Sequence, residues 1–312
     1  MRPPILVIAG PTGVGKSEAA VIVAEELRGE VVSADSRQVY KGLEIGTAAP
    51  GRDLLERVPH HLVSVRDPLL SWSAGEFAVD AVRCLTEILG RSNLPIIVGG
   101  SGFYIRALTE GLFKEPPVDP VEKARVRAGL DDRLEKEGAG VLWAELTSID
   151  PQWAERIPEA DSQRIIRGLE VYELHGVPLS ELQQSRTSKP LFEADWRQVL
   201  LERDREDLYQ KLNARVVALL DSGWLEEAET LRSAGIAVDA PGLTGLGYDQ
   251  LYRYLDGEIP YEEAVERIRK EHRNYAKRQL TWFRSLEAHR IPLGSGDGPE
   301  QTAAKILACW QE

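Results

Sequence analysis

Residues 10–17, Gly10-Pro11-Thr12-Gly13-Val14-Gly15-Lys16-Ser17, satisfy the pattern G-x-x-x-x-G-K-[ST] at every fixed position. A short apolar run, Ile5 to Ala9, precedes them. Residues 16–28 follow, with Ala19, Ala20, Ile22, Val23 and Leu27 at helical spacing. This context of buried strand, glycine-rich loop and helix start commits the chain to an α/β architecture with a phosphate cradle. The glycines let backbone N–H groups converge on phosphate oxygens, and the helix N-terminus adds its positive end. Lys16 supplies a point charge, and the Ser17 hydroxyl is a candidate Mg²⁺ ligand. The loop does not choose among polyphosphates, because ATP, GTP and a small diphosphate present the same oxygens.

The rest of the chain extends the pattern. Val31-Val32, Leu62 to Val65 and Pro95 to Val98 read as strands, and residues 74–90 and 103–110 as helices. Strands alternating with helices predict a parallel sheet covered on both faces. Three prolines between Lys114 and Pro120 mark a boundary. Residues 121–185 then carry only helical patterns, including 121–138 and a helix from Asp161 to Gly176. After Arg186 to Pro190, Trp196 to Leu201 reads as a strand returning to the sheet, followed by helices at 205–221, 224–234 and 260–286. The predicted fold class is thus an α/β P-loop parallel-sheet core, residues 1–114 and 191–312, interrupted by an all-helical insertion at 115–190.

Several function classes drop out on composition. With 312 residues, 43% hydrophobic and 28% charged, the chain is of globular composition and long enough to need no covalent staple. No apolar run approaches a membrane span. Cys84 and Cys309 stand far apart, which excludes a cysteine-rich zinc module and predicts a cytoplasmic protein without zinc. The neighbours His60 and His61 point to opposite faces of an extended segment, so they are not expected to share a metal. The net charge of −12 excludes a generally polyanion-binding surface.

Ser33-Ala34-Asp35-Ser36-Arg37-Gln38-Val39-Tyr40 follows the second strand, at the sheet edge where ligands bind in open parallel folds. Asp35 has three roles open to it there: Mg²⁺ ligand, general base or turn-former. An ordered series of segments spans nearly the whole chain: GPTGVGKS at 10–17, VVSADSRQVYKGLEIGTAAP at 31–50, PHHLVSVRDP at 59–68, SAGEF at 73–77, PIIVGGSGFYIRALTEGL at 95–112, QRIIRGLEVYELHGVPLSEL at 163–182, LGYDQ at 246–250 and YAKRQLTWFR at 275–284. This series resembles the tRNA dimethylallyltransferases, also called tRNA isopentenyltransferases.

The resemblance implies transfer of a dimethylallyl group from dimethylallyl diphosphate to N6 of adenosine 37, next to the tRNA anticodon, with Mg²⁺ as cofactor. Loops carrying adenosines at 36, 37 and 38 are the implied substrates. It implies that Gly10, Pro11, Thr12, Gly13, Val14, Gly15, Lys16 and Ser17 hold the donor diphosphate, a site often described as nucleotide- or ATP-binding. Asp35 resembles the general base, and Thr12 and Arg215 resemble its catalytic companions. A solvated helix arginine is the other reading of Arg215. The segment Asp35, Ser36, Arg37, Gln38 resembles the grip on the target adenosine, with Ser101 where the family usually has threonine. In the insertion, Gln163, Arg164, Ile165, Ile166 and Arg167 resemble residues that reach the anticodon stem-loop, and Arg127 is a further candidate. Asp249 stands where the family commonly has a lysine, so no basic contact is expected there.

Between residues 267 and 284 there are seven basic residues and one acid, Glu271. Lys277 and Arg278 are expected to meet tRNA phosphates, and Tyr275, Trp282 and Phe283 to pack inward. A monomer is expected. Two other functions are compatible with the loop: a small-molecule or nucleotide kinase using ATP, and a nucleotide-gated RNA-binding switch.

Overall fold

The computed structural model describes residues 2–113, 115–184, 189–245 and 247–311. Lys114, Ser185 to Ser188 and Leu246, which belong to the helical stretch 121–185, the boundary segments and the LGYDQ segment named above, lie outside them. The chain divides into two compact units, residues 1–110 with 190–312, and residues 111–189.

The first unit is built on strands β1 (Pro4–Ala9), β2 (Gly29–Ser33), β3 (His60–His61), β4 (Leu94–Gly99), β5 (Asp195–Arg203) and β6 (His289–Leu293). They form one sheet in the order β3-β2-β4-β1-β5-β6. Every pairing is parallel. Helices α1 (Lys16–Leu27), α2 (Arg52–Arg57) and α3 (Ala74–Gly90) join the first four strands, and α4 (Gly102–Thr109) follows β4. Ile5 to Ala9 are fully buried because β1 is central and covered on both faces. Helix α3 starts on a capping box, in which Ser73 Oγ accepts from Glu76 N–H and the Glu76 carboxylate accepts from Ser73 N–H.

Two strands depart from the sequence reading. The third strand is His60–His61, paired with Val31 and Val32. It does not run over Leu62 to Val65, because Leu62 and Ser64 take positive φ (61° and 50°) and turn the chain off the sheet. His61 Nε2 lies 2.7 Å from buried Glu30, and His60 Nδ1 lies 2.9 Å from Val58 O. The sixth strand, His-Arg-Ile-Pro-Leu, was not anticipated. Only Ile291 and Leu293 are buried, and Pro292 is tolerated because β6 is an edge.

The second unit is helical: α5 (Pro120–Glu137), α6 (Ala139–Ile149), α7 (Pro151–Ala154), α8 (Ser162–His175) and α9 (Leu179–Gln184). Val126, Leu130, Leu142, Leu146, Ile165, Ile166 and Leu169 form its core. Buried Asp150 caps α7 through Trp153 N–H and accepts both the backbone N–H and the hydroxyl of Ser180.

Returning to the first unit, α10 (Arg205–Asp221), α11 (Trp224–Ser233), α12 (Tyr248–Leu255), α13 (Tyr261–Phe283) and α14 (Pro299–Gln311) complete the chain. No helix among the described residues is long and apolar enough to cross a membrane.

Candidate active site

All the strands point their C-terminal ends toward one rim of the sheet, so the loops that follow them meet there. After β1 comes the phosphate loop, after β2 Asp35, and after β4 the Gly99-Gly100-Ser101 turn. The approach is close. A side chain at Gly99 would put its Cβ 2.0 Å from Ala34 O, so only glycine lets the two turns share the rim. Ser101 stitches them further, its Oγ accepting from Ser36 N–H at 3.0 Å and donating to Ser36 Oγ at 3.3 Å.

A cavity of about 870 Å³ opens at this rim. Its lining includes Thr12 to Glu18, Asp35, Gln38 and Arg215. A small extension, lined by Thr12, Asp35, Arg37, Arg215, His272 and Tyr275, continues from it. The loop is shaped as its glycines require, with φ of 79° at Gly13 and 104° at Gly15. Val14 is buried and contributes backbone rather than side chain. Lys16 Nζ donates to Gly10 O at 2.9 Å and Pro11 O at 2.8 Å. Burial pushes its ammonium down to about 8. Asp35 opposes that fall, and the Arg215 guanidinium reinforces it.

Arg215 lies in α10 and is not a solvated helix arginine. Its Nη1 donates to Thr12 Oγ1 at 3.3 Å, its Nη2 donates to Ala48 O at 3.4 Å, and burial pulls its pKa down. Asp35 Oδ1 accepts from Arg37 N–H at 2.8 Å and Gln38 N–H at 3.4 Å, so Asp35 does form the turn. Its Oδ2 receives no hydrogen bond from the described residues. One oxygen builds the loop while the other is available to a ligand.

The next two side chains brace the rim. Arg37 Nη1 donates to Pro241 O and Thr244 Oγ1, both at 3.0 Å. Gln38 accepts from the Ser33 hydroxyl at 3.3 Å and donates to Ala48 O at 3.0 Å.

Two residues that hold the site went unnoticed in the sequence. Gln279, buried on α13, accepts from Thr12 N–H at 2.9 Å and donates to Gly100 O at 2.9 Å. Glu227 on α11 accepts from Ile45 N–H at 2.8 Å, Gly46 N–H at 2.9 Å and the Tyr248 hydroxyl at 2.7 Å, fixing the 45–48 loop whose Ala48 O meets Arg215. Burial raises the Glu227 carboxyl. A clue existed for Gln279: it falls on the buried stripe of α13 with Ala264, Ile268, Ala276 and Phe283.

On α13, Lys277 and Arg278 are exposed, and Arg278 lies over the Tyr275 ring at 5.6 Å. The basic stretch is less positive than its own composition, because Arg267 pairs with Glu263, and Arg269 and Arg273 pair with Glu266. Phe283 is core and Trp282 packs on Gly102, as expected, whereas Tyr275 lines the cavity extension.

In the second unit, Gln163 and Arg164 are exposed, with Arg164 Nε 3.4 Å from Asp161. Arg127 pairs with Asp131 at 3.1 Å. Arg167 is half-buried between Glu115 and Glu170. Ile165 and Ile166 correct the expectation. Both are fully buried in the helical core and present no side chain to a partner.

Comparison with known proteins identifies the family. The IPP transferase family model matches residues 38–286, and an isopentenyl transferase model matches residues 3–67. A tRNA dimethylallyltransferase 1 of Syntrophotalea carbinolica is 43% identical over 289 residues, covering 92% of this chain and 90% of its own. The tRNA dimethylallyltransferase of Halorhodospira halophila is 42% identical, covering 91% of each chain. Among solved structures, a tRNA delta(2)-isopentenylpyrophosphate transferase from Staphylococcus epidermidis superposes with a TM-score of 0.69 at 32% identity, covering 99% of both chains. A eukaryotic dimethylallyltransferase caught acting on tRNA gives 0.74 at 26% identity, covering 93% of this chain and 74% of that one. Full-length similarity and a shared fold place this chain in the IPP transferase family, alongside the tRNA dimethylallyltransferases.

Proposed function

We propose that the chain transfers the dimethylallyl group of dimethylallyl diphosphate to N6 of adenosine 37 in the tRNA anticodon loop. The observation that carries this reading is the convergence of Thr12, Lys16, Asp35 and Arg215 on one cavity. A phosphate cradle and an unengaged carboxylate oxygen are what such a displacement needs. An exocyclic adenine amine is a weak nucleophile because its lone pair is delocalised. As N6 attacks the allylic carbon, the C–O bond to diphosphate breaks and the N6 proton passes to Asp35. Lys16 leaves the Gly10 and Pro11 carbonyls for the diphosphate oxygens, and Arg215 with Thr12 faces the leaving group. The target base is unpaired in an anticodon loop, so turning it out of the stack costs less than in a duplex.

Mg²⁺ fits this site. The Ser17 hydroxyl lines the cavity and makes no hydrogen bond to the described residues, and no cluster of three or more His, Cys, Asp or Glu among them could hold a metal. One hydroxyl together with the substrate's own phosphate oxygens is an ordinary magnesium donor set. When bound, the ion neutralises charge on the leaving diphosphate. Gln163 and Arg164 of the helical unit, and Lys277 and Arg278 of α13, are the side chains we assign to tRNA. Such a reaction belongs in the cytoplasm.

The test is single-turnover incubation with Mg²⁺, labelled dimethylallyl diphosphate and unmodified tRNA bearing adenosines 36 to 38, read by nucleoside mass spectrometry. N6-dimethylallyladenosine is expected. Asp35→Asn keeps an oxygen for the Arg37 and Gln38 N–H groups but loses the base, so turnover should fall at least ~100-fold with tRNA affinity retained. No labelled nucleoside, with ATP hydrolysis instead, would transfer the site to kinase chemistry.

A further inference from the structure

Gln279 spans the two turns that the reaction needs at fixed spacing. It is 6% exposed, and its partners dictate the orientation of its amide: the Thr12 N–H can face only the oxygen, and Gly100 O can face only the NH₂. An apolar side chain here would leave the half-buried Thr12 N–H without its acceptor. The fit is tight, since a Cβ on Gly100 would stand 2.5 Å from Gln279 Nε2. Thr12, fixed through its backbone, offers its hydroxyl to Arg215. Neighbouring Lys277 and Arg278 face solvent on the same helix.

We propose that Gln279 is a positioning residue for prenyl transfer. It holds the phosphate loop at Thr12 against the turn after β4, and so keeps Thr12, Arg215 and Asp35 in register. It also ties the cationic helix α13 to that loop. This inference rests on the activity assigned above.

Two variants test it. A protonated glutamic acid carries one donor and one acceptor, as the amide does, whereas an ionised one sets a carboxylate oxygen against Gly100 O. Burial raises the pKa of such a glutamate and favours the protonated form as pH falls. Gln279→Glu should therefore lose about tenfold in kcat near pH 8 and recover toward wild type near pH 6, with KM for tRNA little changed. Gln279→Met, similar in volume and unable to make either bond, should lose about tenfold at both pH values. Gln279→Met retaining wild-type kcat would overturn the proposal, and that variant decides alone if the glutamate does not fold or keeps one protonation state across this pH range. Wild-type protein that forms no prenylated nucleoside would refute the assigned activity instead, which keeps the two failures separate.

Discussion

Lys16 holds two loop carbonyls in a site built for an anion, and this has a titration consequence. Burial lowers its pKa to about 8, so the unliganded ammonium is charged below that pH and neutral above it. A bound diphosphate favours the charged form, so above pH 8 binding must take up a proton. Affinity for inorganic diphosphate should be flat from about pH 7 to 8 and then weaken, approaching tenfold per unit. Lys16→Arg stays charged throughout and serves as the control for the ligand's own ionisation. Calorimetry at several pH values reads this directly, and parallel profiles for the two proteins would refute it. At this scale the sequence was informative about identity and poor about division of labour. The cradle and Asp35 were legible because each is a contiguous segment with a chemical reason for its residue types. That Asp35 builds the turn with one oxygen and keeps the other for a ligand needed the geometry. Ile165 and Ile166 were misplaced because adjacency to Arg164 and Arg167 says nothing about which face of α8 they occupy.

At the scale of elements, the strand–helix alternation was readable because its central strands are continuous apolar runs. The ends were not. The third strand is two histidines, which no hydrophobic pattern marks, and β6 is an edge strand carrying a proline. Likewise, nothing local announces that α11 clamps a loop some 180 positions earlier. The three donors converging on Glu227 make that clamp testable. In Glu227→Gln one carboxylate oxygen becomes an NH₂ that opposes an N–H of the 45–48 loop. The unmet donor should cost about 1–3 kcal/mol, seen as a lower denaturation midpoint. Slackening Ala48 should also lower kcat, since Ala48 O receives both Gln38 and Arg215. A variant with unchanged midpoint and unchanged kcat would show that the clamp contributes to neither.

For the molecule as a whole, the question is how an acidic chain meets a polyanion. A net charge of −12 repels RNA on average, so attraction must be local and composed of cations not already neutralised by the protein. Helix α13 makes the distinction visible. Arg267, Arg269 and Arg273 are spent on Glu263 and Glu266, while exposed Lys277 and Arg278 form no ion pair among the described residues. Counting basic residues in the sequence overstated the patch, because Glu263 and Glu266 sit within one helical turn before the counted window. Each phosphate contact contributes roughly one to the slope of log K against log salt. Lys277→Ala and Arg278→Ala should therefore each reduce the slope for tRNA by about 1. Arg267→Ala should leave it nearly unchanged, because that guanidinium is held by Glu263. Arg164→Ala in the helical unit should also reduce the slope, its contact with Asp161 being long and exposed. Filter binding across a salt series distinguishes these variants. Equal reductions for Arg267→Ala and Lys277→Ala would mean that the intrahelical pairs break on docking, and that the total charge of α13, rather than its unpaired residue charges, governs the encounter.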